Sequence, residues 1–143
     1  GFIQGYVDPA EVNLGSEIAL PGGKTVAWQA HKTGGRDAII PLTGLCGMAT
    51  QAAAFAYATI TVDEATEAVL RMGSDDGVKA WVNGQVIHEN AVDRGLVIDQ
   101  DKAPITLKAG KNEILIQVTQ GAGGWALCAR ITDKENRPLP FAQ

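Results

Sequence analysis

Alternation of apolar and polar positions, broken every few residues by glycine, proline, asparagine or aspartate, is the dominant pattern of this chain. Thr25 to Ala30 places Val26, Trp28 and Ala30 on one face. Ala38, Ile40 and Leu42 alternate around Pro41, which predicts an edge strand or an extended connection, because proline cannot donate to a ladder. Tyr57 to Val62 is β-branched at period 2, whereas the alanines at 52–54 leave residues 52–56 open between helix and strand. Thr66 to Gly73 turns Ala68, Leu70 and Met72 inward, Ile114, Ile116 and Val118 share a face, and Trp125, Leu127, Ala129 and Ile131 line a last strand. Phe2 to Val7 reads as a short first strand, Pro9 to Asn13 as a helical turn, and residues 43–52 as a loop or short helix. With about eight or nine short strands and no helix long enough for a repeated crossover, the pattern predicts an all-β, antiparallel β-sandwich.

The clearest local signal runs from Ser74-Asp75-Asp76-Gly77 through Val78–Val82 to Asn83-Gly84 and back along Gln85–His88. Asn-Gly between β-rich segments predicts a type I′ hairpin, since both positions need positive φ. Counting outward from it pairs Val82 with Gln85, Trp81 with Val86, Ala80 with Ile87 and Lys79 with His88. Val78, Ala80, Val82 and Ile87 then face the core, while Lys79, Trp81, Val86 and His88 face away. The Asp75-Asp76 corner stands at the end of a rigid strand.

Composition narrows the function classes. The chain has 143 residues, which fits a single sandwich domain over 1–143. A net charge of −4, with the 12 Lys and Arg scattered, argues against binding nucleic acid, which needs clustered cations. No run of about 18 apolar residues predicts a membrane span, and the first residues carry no basic-then-apolar leader pattern. The 2 cysteines, Cys46 and Cys128, are read as a loop thiol and a buried small hydrophobe rather than a disulfide. With 2 separated histidines they provide no zinc spacing.

Residues 56–131 resemble bacterial jelly-roll modules of galactose-binding-domain-like architecture. The matching pieces include Ala56-Tyr57-Ala58, Gly73 to Val78, Trp81-Val82-Asn83-Gly84, His88-Glu89-Asn90, Arg94-Gly95, Leu107 to Asn112, and Gln120-Gly121-Ala122-Gly123-Gly124-Trp125. The Ser-Asp-Asp-Gly corner followed by a strand and Asn-Gly is similar to the PA14 family. That resemblance implies a carbohydrate-binding accessory module attached to exported proteins such as glycoside hydrolases, and hence an extracellular or periplasmic location. It also implies that Asp75 and Asp76 coordinate calcium, which in sugar-binding PA14 members contacts sugar hydroxyls. This chain departs from the family in placing Gln120 and a glycine run where a late loop would supply an Asn ligand.

Read residue by residue, Asp75 and Asp76 offer calcium hard oxygen ligands, or else cap a turn. The glycines after Gln120 let backbone approach a ligand at Gly121. Trp125 would stack on a sugar ring unless its alternation with Leu127 and Ala129 places it in the core. Trp81, off the core face, is a further platform unless it is covered. Arg94 would pair with Asp75 or Asp76, or bind a ligand hydroxyl or carboxylate.

Catalysis is not expected. Adjacent carboxylates rarely reach the spacing of about 5–10 Å that a glycosidase pair needs. Ser74 lacks a nucleophile elbow, His31 and His88 lack catalytic partners, and Gly121–Gly124 lacks the lysine of a P-loop. The sequence therefore predicts a non-catalytic module binding oligo- or polysaccharide through Asp75, Asp76, Arg94, Gln120, Gly121, Trp125 and Trp81, with calcium as the candidate cofactor. The alternative is a sandwich that packs on neighbouring domains of a parent protein without binding sugar.

Overall fold

The computed structural model describes residues 2–32, 39–46 and 52–139. Its elements are β1 (Glu17–Ala19), β2 (Thr25–Ala27), β3 (Ile40–Pro41), α1 (Leu42–Cys46), β4 (Ala52–Val62), β5 (Thr66–Asp75), β6 (Val78–Val82), β7 (Gln85–Asn90), β8 (Asp101–Leu107), β9 (Gly110–Gln120) and β10 (Ala126–Thr132). Two four-stranded sheets, ordered β3-β10-β5-β8 and β4-β9-β6-β7, form the antiparallel sandwich, and β1 and β2 make a small separate ribbon. The expected alternation from Ala38 and the segment 47–51 lie, in those parts, outside the described residues.

Alternation explains the core. Ala68, Leu70 and Met72 of β5, Ala103, Ile105 and Leu107 of β8, Ile114, Ile116 and Val118 of β9, and Leu127 of β10 are buried in one apolar cluster. Met72, Val78 and Leu107 have no exposed surface. Each such side chain contributes roughly 1.5–3 kcal/mol of transfer free energy. The alanine-rich start of β4 is strand and not helix, because β4 pairs with β9 over its whole length, from Ala52 opposite Gln120 to Val62 opposite Gly110. Helix propensity favours alanine by only about 0.7 kcal/mol per residue over β-branched residues, and a continuous ladder with a buried face outweighs that.

The β6–β7 hairpin departs from simple counting. Asn83 and Gly84 have φ of 51° and 82°, as the turn requires. Val82 pairs with Gln85 and Trp81 with Val86, but a bulge then shifts the register, so that Ala80 pairs with His88 and Lys79 with Glu89. His88 is thereby carried to the inner face, beside the edge of the other sheet. No residue pattern around Ile87 marks that extra position.

The N-terminal third differs most from expectation. Phe2–Val7 is not a strand, Pro9–Asn13 forms only turns, and β2 ends at Ala27. Trp28 lies beyond that strand and packs edge-to-face on Tyr57 at 6.3 Å, while Val26 is 46 % exposed. Phe2 and Ile3 instead lie on the outer face of the β4-β9-β6-β7 sheet, and Pro9 and Ala10 come close to the Gly84 turn. The Gln117 side chain, fully buried, accepts a hydrogen bond from Ile3 N–H at 2.8 Å and donates one to Ile3 C=O at 3.2 Å. One amide side chain thus satisfies both backbone groups of a residue that lies outside any strand. Lys79 Nζ lies 5.9 Å from the Phe2 ring and 5.2 Å from the Trp81 ring.

At one end of the sandwich Asn112 ties two turns together. Its side chain donates to Lys108 C=O and Gly110 C=O and accepts from Lys108 N–H and Asn83 Nδ2. The opposite end carries the candidate site.

Candidate functional site

That opposite end gathers the β5–β6 corner, the loop from 91 to 100 between β7 and β8, and the loop from 121 to 125 between β9 and β10. The ladders align them, since β10 begins opposite Asp75 at Ala126 and β9 runs beside β6 at Val78. A Ser74–Gly77 corner that the sequence places at a strand end is therefore brought against two loops distant in sequence.

Asp76 is held on every side. Its backbone N–H donates to Thr119 C=O at 2.9 Å, and its C=O accepts from the Ser74 hydroxyl at 2.7 Å. Its carboxylate spans the two loops, with Oδ1 accepting from Arg94 N–H at 3.0 Å and Oδ2 from Gly121 N–H at 2.9 Å. Each oxygen keeps a further lone pair. Asp75, joined to Asp76 by a cis peptide bond, is half-buried. Burial pushes the Asp75 carboxyl pKa up, and the hydrogen bond and charge of the neighbouring Asp76 carboxyl push it further. A Cβ on Gly124 would stand 2.7 Å from Asp75 Oδ2, so any larger residue there would force this carboxylate to shift.

Gln120 is 3 % exposed and donates through Nε2 to Gly123 C=O at 2.8 Å, which shapes the loop, while its Oε1 is buried with no partner among the described residues. Asp93, which no sequence motif singles out, brings its carboxylate to the same loop, 3.9 Å from where a Gly121 Cβ would be. The signal available for it was only its position beside Arg94.

These features fit a hard cation. A crowded carboxylate pair, a glycine notch against it and an orphaned buried acceptor all gain from a positive charge or a hydrogen-bond donor. Asp75 and Asp76 are the residues that could hold it. Among the described residues no group of three or more His, Cys, Asp or Glu is arranged around a metal position. Calcium takes 6–8 oxygens, so loop carbonyls, water or ligand hydroxyls would complete its shell.

Three residues picked from the sequence have other employment. Arg94 does not pair with Asp75 or Asp76 through its side chain. Its guanidinium holds Asp101 in a fork, Nη1 to Oδ1 at 3.2 Å and Nη2 to Oδ2 at 2.6 Å, and also donates to Ser74 C=O and Ser74 Oγ. Trp125 is 4 % exposed in the core and its indole N–H donates to Val118 C=O at 3.3 Å, which leaves no face for stacking. Trp81 does point away from the core, as its register predicts, but it is 8 % exposed. Neither tryptophan is a surface platform.

No family model matches the sequence, and no curated protein matches it. Among solved structures, the crystal structure of the PA14 domain of the antifreeze protein MpAFP aligns with a TM-score of 0.50 at 11 % identity, over 62 % of this chain and 46 % of that one. A PA14 sugar-binding domain from an RTX adhesin aligns with a TM-score of 0.42 at 22 % identity, over 63 % of this chain and 50 % of that one. This chain has a PA14-like sandwich fold. It spans about half the length of the structures it matches.

Away from this end, an apolar cleft of about 840 Å³ is lined by Trp28, Ile40, Tyr57, Ile60, Leu127 and Ile131 among others, and by none of the residues around Asp75. Cys46, exposed, and His31 also line it; Cys46 and the buried Cys128 are not bridged.

The crowding at Asp75 has a measurable consequence. A carboxyl whose folded pKa lies above its unfolded value contributes stability that is fully present below the unfolded pKa of about 4 and is lost as pH rises through the folded value. At pH 7, without added cation, Asp75→Asn is therefore expected to raise the thermal midpoint, and the gain should vanish near pH 3. A lower midpoint at pH 7 would contradict the crowding.

Proposed function

We propose that this domain is a non-catalytic carbohydrate-binding module of an exported protein, in which the Asp75–Asp76 corner and the Gln120–Gly124 loop engage sugar hydroxyls with calcium between them. The observation that carries the reading is the held Asp76 carboxylate beside a crowded Asp75, in a glycine-lined notch at an open end of the sandwich. Backbone N–H groups of Arg94 and Gly121 orient one carboxylate, while the other has no cationic partner among the described residues. Two adjacent carboxylates that repel one another are stabilised by a divalent cation, and vicinal hydroxyls are neutral oxygen ligands suited to complete its shell. Since Trp81 and Trp125 are buried, recognition rests on coordination and hydrogen bonds rather than stacking.

Calorimetric titration with a panel of oligo- and polysaccharides, with calcium and with chelator, tests the reading. Calcium-dependent binding of at least one sugar, absent in Asp75→Asn, is the expected result. Silence across a broad panel in the presence of calcium would sink it.

One observation favours the second reading, a module that packs on a neighbouring domain. Val97 and Ile98, in the same loop as Arg94, are 63 % and 44 % exposed, an adjacent apolar pair suited to a protein surface. On that reading Val97→Ser with Ile98→Ser disrupts assembly with the parent protein, whereas the sugar-binding reading leaves glycan titrations of that variant unchanged.

A further inference from the structure

We infer that Arg94 and Asp101 are the positioning residues of the cation site, setting its affinity through Asp76 without touching the ion. This rests on the reading of Asp75 and Asp76 given above and extends it to residues that no ligand would contact.

The 91–100 segment has no ladder of its own, yet it supplies a backbone N–H to Asp76 Oδ1. A loop donor is only as well placed as its anchor. Here the anchor is the side chain of the same residue. The Arg94 guanidinium makes a two-pronged contact with Asp101, on the first residue of β8, and donates to both Ser74 C=O at 3.2 Å and Ser74 Oγ at 2.9 Å. Ser74 Oγ in turn donates to Asp76 C=O.

One arginine therefore reaches Asp76 by two routes, through its own amide and through Ser74. Asp101 is itself set from the other sheet. His88 Nε2 lies 3.4 Å from Asp101 Oδ2, and Asn90 Nδ2 donates to Asp101 Oδ1 at 3.4 Å. The side chains of Arg94 and Asp101 are 17 % and 10 % exposed, so water does little to replace either partner. The fork geometry is specific to guanidinium, and an ammonium at the same position is a single point charge.

A clasp that only closes the edge of the sandwich and one that positions Asp76 predict different things when the ion pair is replaced by apolar side chains. The test variant is Arg94→Met combined with Asp101→Leu, which keeps approximate volume, leaves no charge buried and retains the Arg94-position N–H. Replacing a buried pair in this way is often neutral or stabilising. Two quantities are read: calcium affinity by calorimetry with calcium chloride, and amide hydrogen exchange at residues 94 and 121 by NMR, relative to amides of β9.

Positioning predicts an unchanged or raised thermal midpoint, calcium affinity lower by about 10- to 100-fold as for other outer-shell partners, and faster exchange at residues 94 and 121. Unchanged affinity and exchange would overturn it. If the double variant does not fold, Arg94→Lys reports the same two quantities, and the fork requires it to fall short of wild type in both. Should wild type bind no calcium, the cation reading falls and the affinity claim with it, whereas the exchange rates still decide whether the pair holds Asp76.

Discussion

Replacing Trp125 with alanine is expected to destabilise the domain by about 4 kcal/mol, the range for deleting a buried aromatic side chain. The indole is 4 % exposed within the cluster formed by β5, β9 and β10 side chains, and its N–H donates to Val118 C=O. Trp125→Phe should recover most of that loss, because the ring volume is largely kept and a hydrogen bond contributes only about 1 kcal/mol net. Urea unfolding followed by circular dichroism measures both. A near-neutral Trp125→Ala, with loss confined to ligand binding, would show that the indole leaves the core and acts as a stacking platform. The magnitudes decide the assignment, since a side chain whose deletion costs a large part of a domain's stability is structural whatever else it does.

Asp101→Asn is expected to cost about 3 kcal/mol at pH 7 and to lower the midpoint by roughly 10 °C. It removes the negative partner of a largely buried guanidinium and leaves that charge uncompensated. Burial alone would push the Asp101 pKa up, but the hydrogen bond and charge of Arg94, helped by His88, outweigh it and hold the carboxyl below the usual range. The sign of the pH dependence follows. A depressed folded pKa contributes stability that is present above the unfolded value of about 4 and is lost as pH falls through the folded value. Thermal melts of wild type and Asp101→Asn should thus differ most at neutral pH and converge as pH falls well below the unfolded value of about 4. A constant difference across that window would show that the loss comes from packing rather than from the charge.

The two variants divide the end of the sandwich by cause. Trp125 belongs to the apolar core, and Asp101 anchors a polar cluster with Ser74, Arg94, His88 and Asn90 around it. Asp75 is the exception, a carboxylate whose pKa is raised by burial and by the neighbouring Asp76. Polar clusters of this kind hold a site in one geometry where their members satisfy one another, as Ser74, Arg94, Asp101 and Asn90 do, whereas His88 Nε2 and, in the neighbouring loop, Gln120 Oε1 are buried with no hydrogen-bond partner among the described residues.

Much of the sandwich was legible in the residue order. Period-2 alternation in β5, β9 and β10, the Asn83-Gly84 turn and the Asp75-Asp76 corner are local signals, set by side-chain direction and by the φ each residue tolerates. Local chemistry could not decide the rest. The alanines of β4 became strand because β9 offered a partner for all of it. The bulge that turned His88 inward depends on the facing sheet, and Ile3 is held against the sheet because the Gln117 side chain meets its backbone. Arg94 looked available for a ligand until β8 brought Asp101 beside it, and Asp93 carried no distinguishing pattern of its own. Sequence by itself determined which segments extend, where they turn and where two carboxylates stand together. Only the tertiary structure decided which charges are satisfied and which tryptophans are buried, because both depend on contacts between residues far apart in the chain.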